Sequence, residues 1–259
     1  MSESGDYAWR ETQTSRHDQR DGYLSEQIQT VFKDSRHTYG SNRVAAVLRQ
    51  QGICTSRKRV ARLMRQLHLR SVRVKPQRPC LTRSMHNQYV VENLLAHDFT
   101  AEHEHDTWVT DTTHIPTHEG WLYLVTVLDI FTRQIVGWSM GIHHDAQLAL
   151  TALTMAWQHH CPPAGVILHS DRGGEFANQR YAEACEGKVT RSMSGSGNCY
   201  DNAMAESFFA TLKLEAIHGQ VFTTRSEARM AIFGYIEVFY NRQRLHSGIA
   251  YAAPVTRAA

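Results

Sequence analysis

Residues 120–140 read GWLYLVTVLDIFTRQIVGWSM, and the reading of this stretch decides the fold. Trp121–Ile130 is β-branched and apolar on both faces, the composition of a central strand covered from both sides. An FTR turn follows, and Gln134–Met140 reads as the next strand. Trp108–Thr113 is a shorter extended candidate upstream, so the three make an antiparallel meander with short connections. Downstream the period lengthens. In Asp145–His159, Leu148, Ala149, Ala152, Leu153 and Ala156 fall on one side of a helix. Val166–His169, entered from Pro162-Pro163, is a short strand; Asn178–Glu186 is a helix, Lys188–Thr190 a strand and Asp201–Ala216 a helix. Thr224-Arg-Ser-Glu227 is a capping box that opens a helix running to Tyr240.

Ahead of this α/β region the chain is basic and helical. Residues 1–20 are polar with little apolar pattern and are expected to be disordered or weakly helical; Leu24, Ile28 and Val31 then mark a helix over Tyr23–Phe32. In SNRVAAVLRQQ, Ser41 is the expected cap and Val44, Val47 and Leu48 the apolar stripe. Gly52 breaks that helix, and Ser56 caps the next, RKRVARLMRQLHL. There Val60, Leu63, Met64 and Leu67 turn inward, while Arg57, Lys58, Arg59, Arg62 and Arg65 are expected to face out. Two short helices joined by a glycine turn, the second one basic, describe a helix-turn-helix that binds DNA. From Arg36 to Arg83 there are thirteen Lys or Arg and no Asp or Glu, against 15 basic and 25 acidic residues elsewhere. A cationic module beside an acidic body suits a polyanion partner. SVRVKPQRPCLTRS continues the charge as a basic linker. The expected organisation is a polar N-terminus (1–22), a helix-turn-helix domain (23–70), a basic linker (71–100) and a catalytic domain (101–259).

No apolar run is long enough for a membrane helix, and the first 25 residues are polar, so a cytoplasmic protein is expected. The five cysteines form no C-x-x-C pair, which speaks against a disulfide framework or a zinc site. His159, His160 and Cys161 are adjacent, and three consecutive residues do not easily converge on one ion.

Three strands, helix, strand, helix, strand, helix is the element order of a ribonuclease-H-like α/β sheet. In that order Asp111 ends or follows the first strand, Asp171 follows the fourth, and Glu206 lies early in the helix beginning near Asp201. Strand carboxyl ends and a nearby helix can bring such groups together. Clustered carboxylates repel one another and suit a hard divalent cation such as magnesium. Asp129, Asp106 and Asp98 compete for the same role, and the pattern leaves them open. On the Asp201–Ala216 helix, Asn202, Glu206, Ala210 and Lys213 share one face, while Met204, Phe208 and Leu212 pack on the other.

WVTDTTHI, GWLYLVTVLDIFTRQIVGWSM, HSDRGGEFAN, SMSGSGNCYDNAMAESFFATLKLE and YNRQRLHSGIAYAAP, in this order, resemble the OrfB transposases of bacterial insertion sequences, which have an integrase catalytic core. The resemblance covers roughly residues 36–255 and includes the helix-turn-helix stretch. It implies a ribonuclease-H-like core with a mixed five-stranded sheet and flanking helices, preceded by a small helical domain. It also implies an acidic triad at Asp111, Asp171 and Glu206, binding magnesium or manganese as two ions, with Lys213 as the cation two turns after the glutamate. Implied activity is cleavage at terminal inverted repeats followed by strand transfer into target DNA. An upstream partner subunit and a homo-oligomer on DNA go with it. A DNA-binding regulator lacking catalysis and a nuclease of the same fold are the other readings. HSDRGGEF carries Glu175 and Phe176 where relatives have Gln and Tyr, and Glu175 is not assigned as a ligand. The SMSGSGNCYDN loop is expected to move until DNA binds, with Asp201 and Asn202 as caps or anchors. His169 and Ser170 are expected either to position the site or to be structural, and Arg244 and His246 either to close the core or to touch DNA. Trp108, Trp121 and Trp138 are expected in the core.

Overall fold

A computed structural model describes residues 16–72, 89–96, 98–195 and 202–258. The sequence expectations for the first fifteen residues, for linker residues 73–88 and for loop residues 196–201, Asp201 included, lie outside them. The chain divides into two compact units, Met1–Arg73 and Val74–Ala259.

The first unit is three helices: α1 (Arg16–Asp34), α2 (Ser41–Gln50) and α3 (Arg57–Gln66). Helix α1 begins seven residues before the expected Tyr23. Leu24, Ile28, Val44, Leu48, Val60 and Leu63 form its core. The α2 start corrects the sequence expectation: Gly40 is the cap, with no side-chain hydrogen bond, and Ser41 is already helical. Gly52 (φ +80°) follows the end of α2, where Ile53 N–H donates to Leu48 O at 2.8 Å and Gly52 N–H to Arg49 O at 3.0 Å. That is the left-handed C-terminal stop for which glycine is suited. Ser56 Oγ then caps α3 by accepting from Arg59 N–H at 3.2 Å.

The second unit is built on one five-stranded sheet of order β3-β2-β1-β4-β5. Its strands are β1 (Thr107–Thr117), β2 (Gly120–Asp129), β3 (Ile135–Gly141), β4 (Val166–Ser170) and β5 (Val189–Met193). β1, β2 and β3 form an antiparallel meander, whereas β4 runs parallel to β1 and β5 parallel to β4. This is the mixed, ribonuclease-H-like sheet. β2 lies second from the edge and is buried from Leu124 onward, as its two-sided apolar sequence requires. Trp121, at its start, is instead half exposed, so of the three tryptophans expected in the core only Trp108 is fully buried. Trp138 is partly covered and donates through Nε1 to Glu237 Oε1 at 2.7 Å.

Helix α4 (Ala146–His160) covers β3 and β2 with the expected face of Leu148, Ala149, Ala152, Leu153 and Ala156. The small residues have a partner in the sheet. A Cβ at Gly137 would overlap Ala152 O and sit 2.7 Å from Ala156 Cβ. Helix α5 (Gln179–Cys185) connects β4 to β5. Then follow α6 (Ala203–Leu212) with a π-turn over Lys213–Ile217, α7 (Arg225–Phe233) with a π segment over Gly234–Tyr240, and the short α8 (Pro254–Ala258). Thr224 caps α7 as expected, but Glu227 reaches back to Thr223 N–H at 2.9 Å, not to Thr224. β3 is an edge strand, and Asn241 completes it: its Oδ1 accepts from Ile135 N–H at 2.9 Å and its Nδ2 donates to Ile135 O at 3.0 Å.

Arg244 is buried and donates from Nε and Nη2 to both oxygens of Glu215, each at 2.8 Å, and Tyr235 donates to the same carboxylate at 2.8 Å. Burial works against the guanidinium charge, and Glu215 outweighs it, raising the Arg244 pKa above the ordinary value. Of the two roles left open by sequence, Arg244 takes the structural one.

Gly137→Ala should destabilise the second unit by about 1–3 kcal/mol, because α4 must lift off β3 to admit the methyl group. Urea unfolding followed by tryptophan fluorescence measures this; an unchanged midpoint would refute the close approach.

Candidate active site

The parallel pairing of β1 and β4 is short. It covers Thr107↔Ile167, Trp108↔Leu168 and Val109↔His169, and β1 then continues to Thr117 against β2 alone. Asp111 and Asp171 each lie two residues past the last pair. Asp111 is therefore inside β1, not at its end as the shorter expected strand implied. The chain turns away after Ser170, and Asp171 Oδ1 accepts from Gly173 N–H at 2.9 Å. A Cβ on Gly173 would stand 2.5 Å from Glu175 Oε2 and 3.0 Å from Asp171 Oδ1, so a side chain here would displace these carboxylates. Asp111 Oδ1 accepts from Thr112 N–H at 2.7 Å.

Glu206 comes from α6, and the start of that helix is tied to β1. Buried Asn202 donates through Nδ2 to Thr110 O at 3.1 Å, next to Asp111. Asn202 is an anchor, as expected, although its side chain does not cap the helix. Phe208 and Leu212 pack inward with Phe209, and Lys213 follows the last α-helical residue.

Burial raises the pKa of Asp111 well above the ordinary 3.8, and the charges of Asp171, Glu206 and Glu175 add to it against the Thr112 hydrogen bond. Asp171 is raised by burial and by Glu175, opposed by the Gly173 N–H and by His144; Glu206 is raised by burial and then by Asp171. Burial lowers Lys213, and the charge of Asp111 partly restores it. These groups share one electrostatic site. It is a loose one, since no three of the acids place ligand oxygens all within 4.8 Å of one another. Carboxylates raised by one another match a divalent cation in charge and in donor type.

Sequence reasoning set Glu175 aside, and the structure puts it in the cluster. It is buried, accepts from Thr112 Oγ1 at 2.7 Å and from His144 Nε2 at 2.6 Å, and His144 stacks on Tyr123 with ring centroids 5.2 Å apart. An additional acid directly after Asp171-Arg-Gly-Gly was the available signal. His169 takes the structural role, bonding Ser192 Oγ at 2.9 Å and Ser194 Oγ at 3.2 Å to bind β4 to β5.

The competing acids are accounted for elsewhere. Asp129 is fully buried and accepts from Thr132 N–H (2.7 Å), Thr132 Oγ1 (2.9 Å) and His105 N–H (2.8 Å). Asp106 accepts from the Glu102 and His103 N–H groups, and Asp98 from Thr100.

In the first unit the outward basic stripe is divided. Arg57, Lys58 and Arg65 are exposed. Arg59 and Arg62 instead hold Asp21 of α1, with N–O distances of 2.6 Å to each. The hydrogen bond from Arg62 heads the causes that lower the Asp21 pKa. The acid-free count over residues 36–83 could not reveal a partner from residue 21.

Comparison with known proteins gives matches over both units. Residues 18–77 match the HTH-like domain family, and residues 101–199 and 206–256 match integrase core domain families. The chain is 45% identical over 170 residues to the transposase InsF for insertion sequence IS3A of Escherichia coli K12, covering 65% of this chain and 59% of that one. It is 43% identical over 192 residues to InsF for IS3fB of the same strain, covering 73% and 66%. To a 31 kDa protein of insertion element IS600 from Shigella sonnei it is 44% identical over 174 residues, covering 67% and 64%. The chain thus spans about three fifths of the length of the first of these relatives. The HTLV-2 integrase catalytic core in complex with magnesium superposes with a TM-score of 0.48 at 13% identity, over 62% of this chain and all of that one. Among the described residues no helix is long and apolar enough to cross a membrane.

A carboxyl group whose pKa is raised by folding holds a proton that the unfolded chain has released. Stability therefore falls as pH rises from 3.8 through the raised value of Asp111. With divalent cations chelated, Asp111→Asn should melt above the wild type at neutral pH, and the gap should close toward about pH 4. Thermal melts across this range test the sign; a variant that melts lower throughout would refute it.

Proposed function

We propose that this integrase-core chain, with an HTH-like domain ahead of the core, is a subunit of an insertion-sequence transposase that cuts DNA at element ends and joins them to a target. One observation carries the reading. The truncated β1–β4 pairing and the Asn202–Thr110 anchor bring Asp111, Asp171 and Glu206 into a single electrostatic site. Three carboxyls raised by burial, with the charge of Asp171 adding to Asp111 and to Glu206, are a poor structural choice unless a cation offsets them.

On this reading Asp111, Asp171 and Glu206 hold magnesium or manganese, as two ions. A metal held by these three carboxylates would supply Lewis-acid stabilisation at a phosphodiester and lower the pKa of an attacking water. Hydrolysis forms a bond from water oxygen to phosphorus and breaks the P–O3′ bond, leaving a 3′-hydroxyl. That hydroxyl then attacks a target phosphodiester, whose own P–O3′ bond breaks; bonds balance and no covalent protein intermediate is needed. Lys213, about two turns from Glu206, places a partly desolvated ammonium where it can hold the substrate backbone. Glu175 and Thr112 fix the wall of the site by their hydrogen bond.

The helix-turn-helix unit binds the terminal inverted repeats through Arg57, Lys58 and Arg65. Arg59 and Arg62 contribute less than their exposure in sequence suggested, because Asp21 already neutralises part of their charge. An upstream partner subunit, assembly of copies on DNA and a cytoplasmic, nucleoid-bound location belong to the same proposal and rest on the resemblance.

Two measurements test it. Purified protein, with and without an upstream partner, is incubated with labelled element ends and magnesium or manganese. Asp111→Asn, Asp171→Asn and Glu206→Gln should each reduce cleavage and joining to background while duplex binding persists; an active Asp171→Asn enzyme would sink the assignment. Replacing Arg57 and Lys58 by Ala should flatten the dependence of log affinity on log salt by about 2, close to one unit per lost phosphate contact. An unchanged slope would remove these residues from the interface.

A further inference from the structure

We propose that Glu104, His105 and His160 form a second cation site, suited to zinc and separate from the carboxylate cluster. The side chains come from two distant places in the second unit, the segment entering β1 and the last residue of α4. Their ligand atoms lie within 4.8 Å of one another, the one such group of three among the described residues. Glu104 Oε1 is 3.3 Å from His105 Nε2, and the rings of His105 and His160 are 5.3 Å apart at 65°. Tetrahedral zinc with bonds of about 2.0–2.1 Å requires ligand atoms about 3.3–3.4 Å apart. The Glu104–His105 pair already meets this spacing, and a rotation of the partly exposed His160 closes the remainder.

The neighbours of His160 do not compete for the ion. Cys161 adopts a left-handed backbone (φ +43°), and its Sγ donates to Gln158 O at 3.5 Å, while His159 is exposed. The fold supplies His160 with partners more than fifty residues away, Glu104 and His105. His160 is held below the ordinary histidine pKa by burial first, then by His105 and His159, with Asp129 and Glu237 opposing.

His105 also has the support that metal-binding histidines require. Its Nδ1 is 3.5 Å from Oδ2 of Asp129, a fully buried carboxylate fixed by Thr132 and by the His105 N–H. Trp108 Nε1–H donates to the same nitrogen at 3.3 Å. Two tautomers follow. With the proton on Nε2, His105 accepts from Trp108 and donates toward Glu104. With the proton on Nδ1, it faces Asp129 and presents the Nε2 lone pair to an ion. Ligation through Nε2 uses the second form, in which Nδ1–H turns from accepting the Trp108 N–H to facing Asp129. Two imidazoles, one carboxylate and a water are a zinc donor set, whereas the all-oxygen cluster around Asp111 suits magnesium. An ion here would tie the entry of β1, which carries Asp111, to the end of α4.

The full chain, stripped with chelator, is titrated with zinc and, in parallel, cobalt, under excess magnesium. We expect one zinc retained per chain and the visible bands of tetrahedral cobalt. His105→Gln and His160→Gln should each weaken zinc binding by at least about tenfold. Glu104→Gln, a change in a partly exposed side chain that leaves the fold intact, should weaken it as well and dim the cobalt bands. His159→Gln, Asp111→Asn and Asp171→Asn should retain the zinc. The proposal is overturned if the wild type retains no stoichiometric zinc, if Glu104→Gln and the folded histidine variants bind as the wild type does, or if the aspartate variants lose the ion. These readouts do not depend on DNA cleavage, so the site stands or falls apart from the transposase reading.

Discussion

The parallel ladder between β1 and β4 stops after three residue pairs, and the candidate site depends on that stop. A longer ladder would have held β4 against β1 beyond His169 and spread the acids along two paired strands with alternating faces. Because β4 leaves at Ser170 while β1 continues, two aspartates two residues past the last pair sit beside each other at the point where the chains diverge. The same place in the sheet carries Thr110, whose carbonyl receives Asn202 and so draws α6 and Glu206 to it. Burial first, and neighbouring carboxylates after it, raise the pKa of all three acids. It is an arrangement that opposes folding in the absence of a cation, and groups that do so are commonly functional.

The C-terminal segments serve that arrangement from the far side. Asn241 closes the open edge of β3, and the Glu215–Arg244–Tyr235 set fixes the π-turn after α6 to the segment after α7. A buried ion pair adds little net stability over a hydrophobic replacement, yet removal of one partner is costly. Its effect is on placement: Glu215 lies two residues after Lys213, so the pair holds the turn that carries this lysine. A π-turn there also rotates the following residues relative to an α-helix, which turns Glu215 toward the core while Lys213 stays exposed.

Charge in the helical unit shows the same contrast between local pattern and distant partner. The α3 stripe is basic at every outward position in sequence, but Asp21, 38 residues before Arg59, takes two of its guanidinium groups. The exposed charge is thereby concentrated at Arg57, Lys58 and Arg65. Likewise His160 looked unpartnered next to Cys161 until the fold delivered Glu104 and His105.

The sequence by itself determined what depends on near neighbours. A β-branched run apolar on both faces marked β2, the FTR turn marked the start of β3, the alanine stripe marked the buried face of α4, and Gly52, Ser56 and Thr224 marked helix ends. Those features are set by backbone and side-chain preferences over a few residues. The sequence pattern could name Asp111, Asp171 and Glu206 as candidates, but separating them from Asp129 and Asp106 needed a family resemblance. Tertiary structure supplied a physical reason: Asp129, Asp106, Asp111 and Asp171 all accept backbone N–H groups, but Asp111 and Asp171 are also raised by the charge of other carboxylates. Only the fold decided that Glu175 joins the cluster, that Trp121 lies half exposed, that Arg244 is buried, and that Asp21 partners α3. Each depends on a contact between residues far apart in the chain, and composition and periodicity carry no record of such contacts.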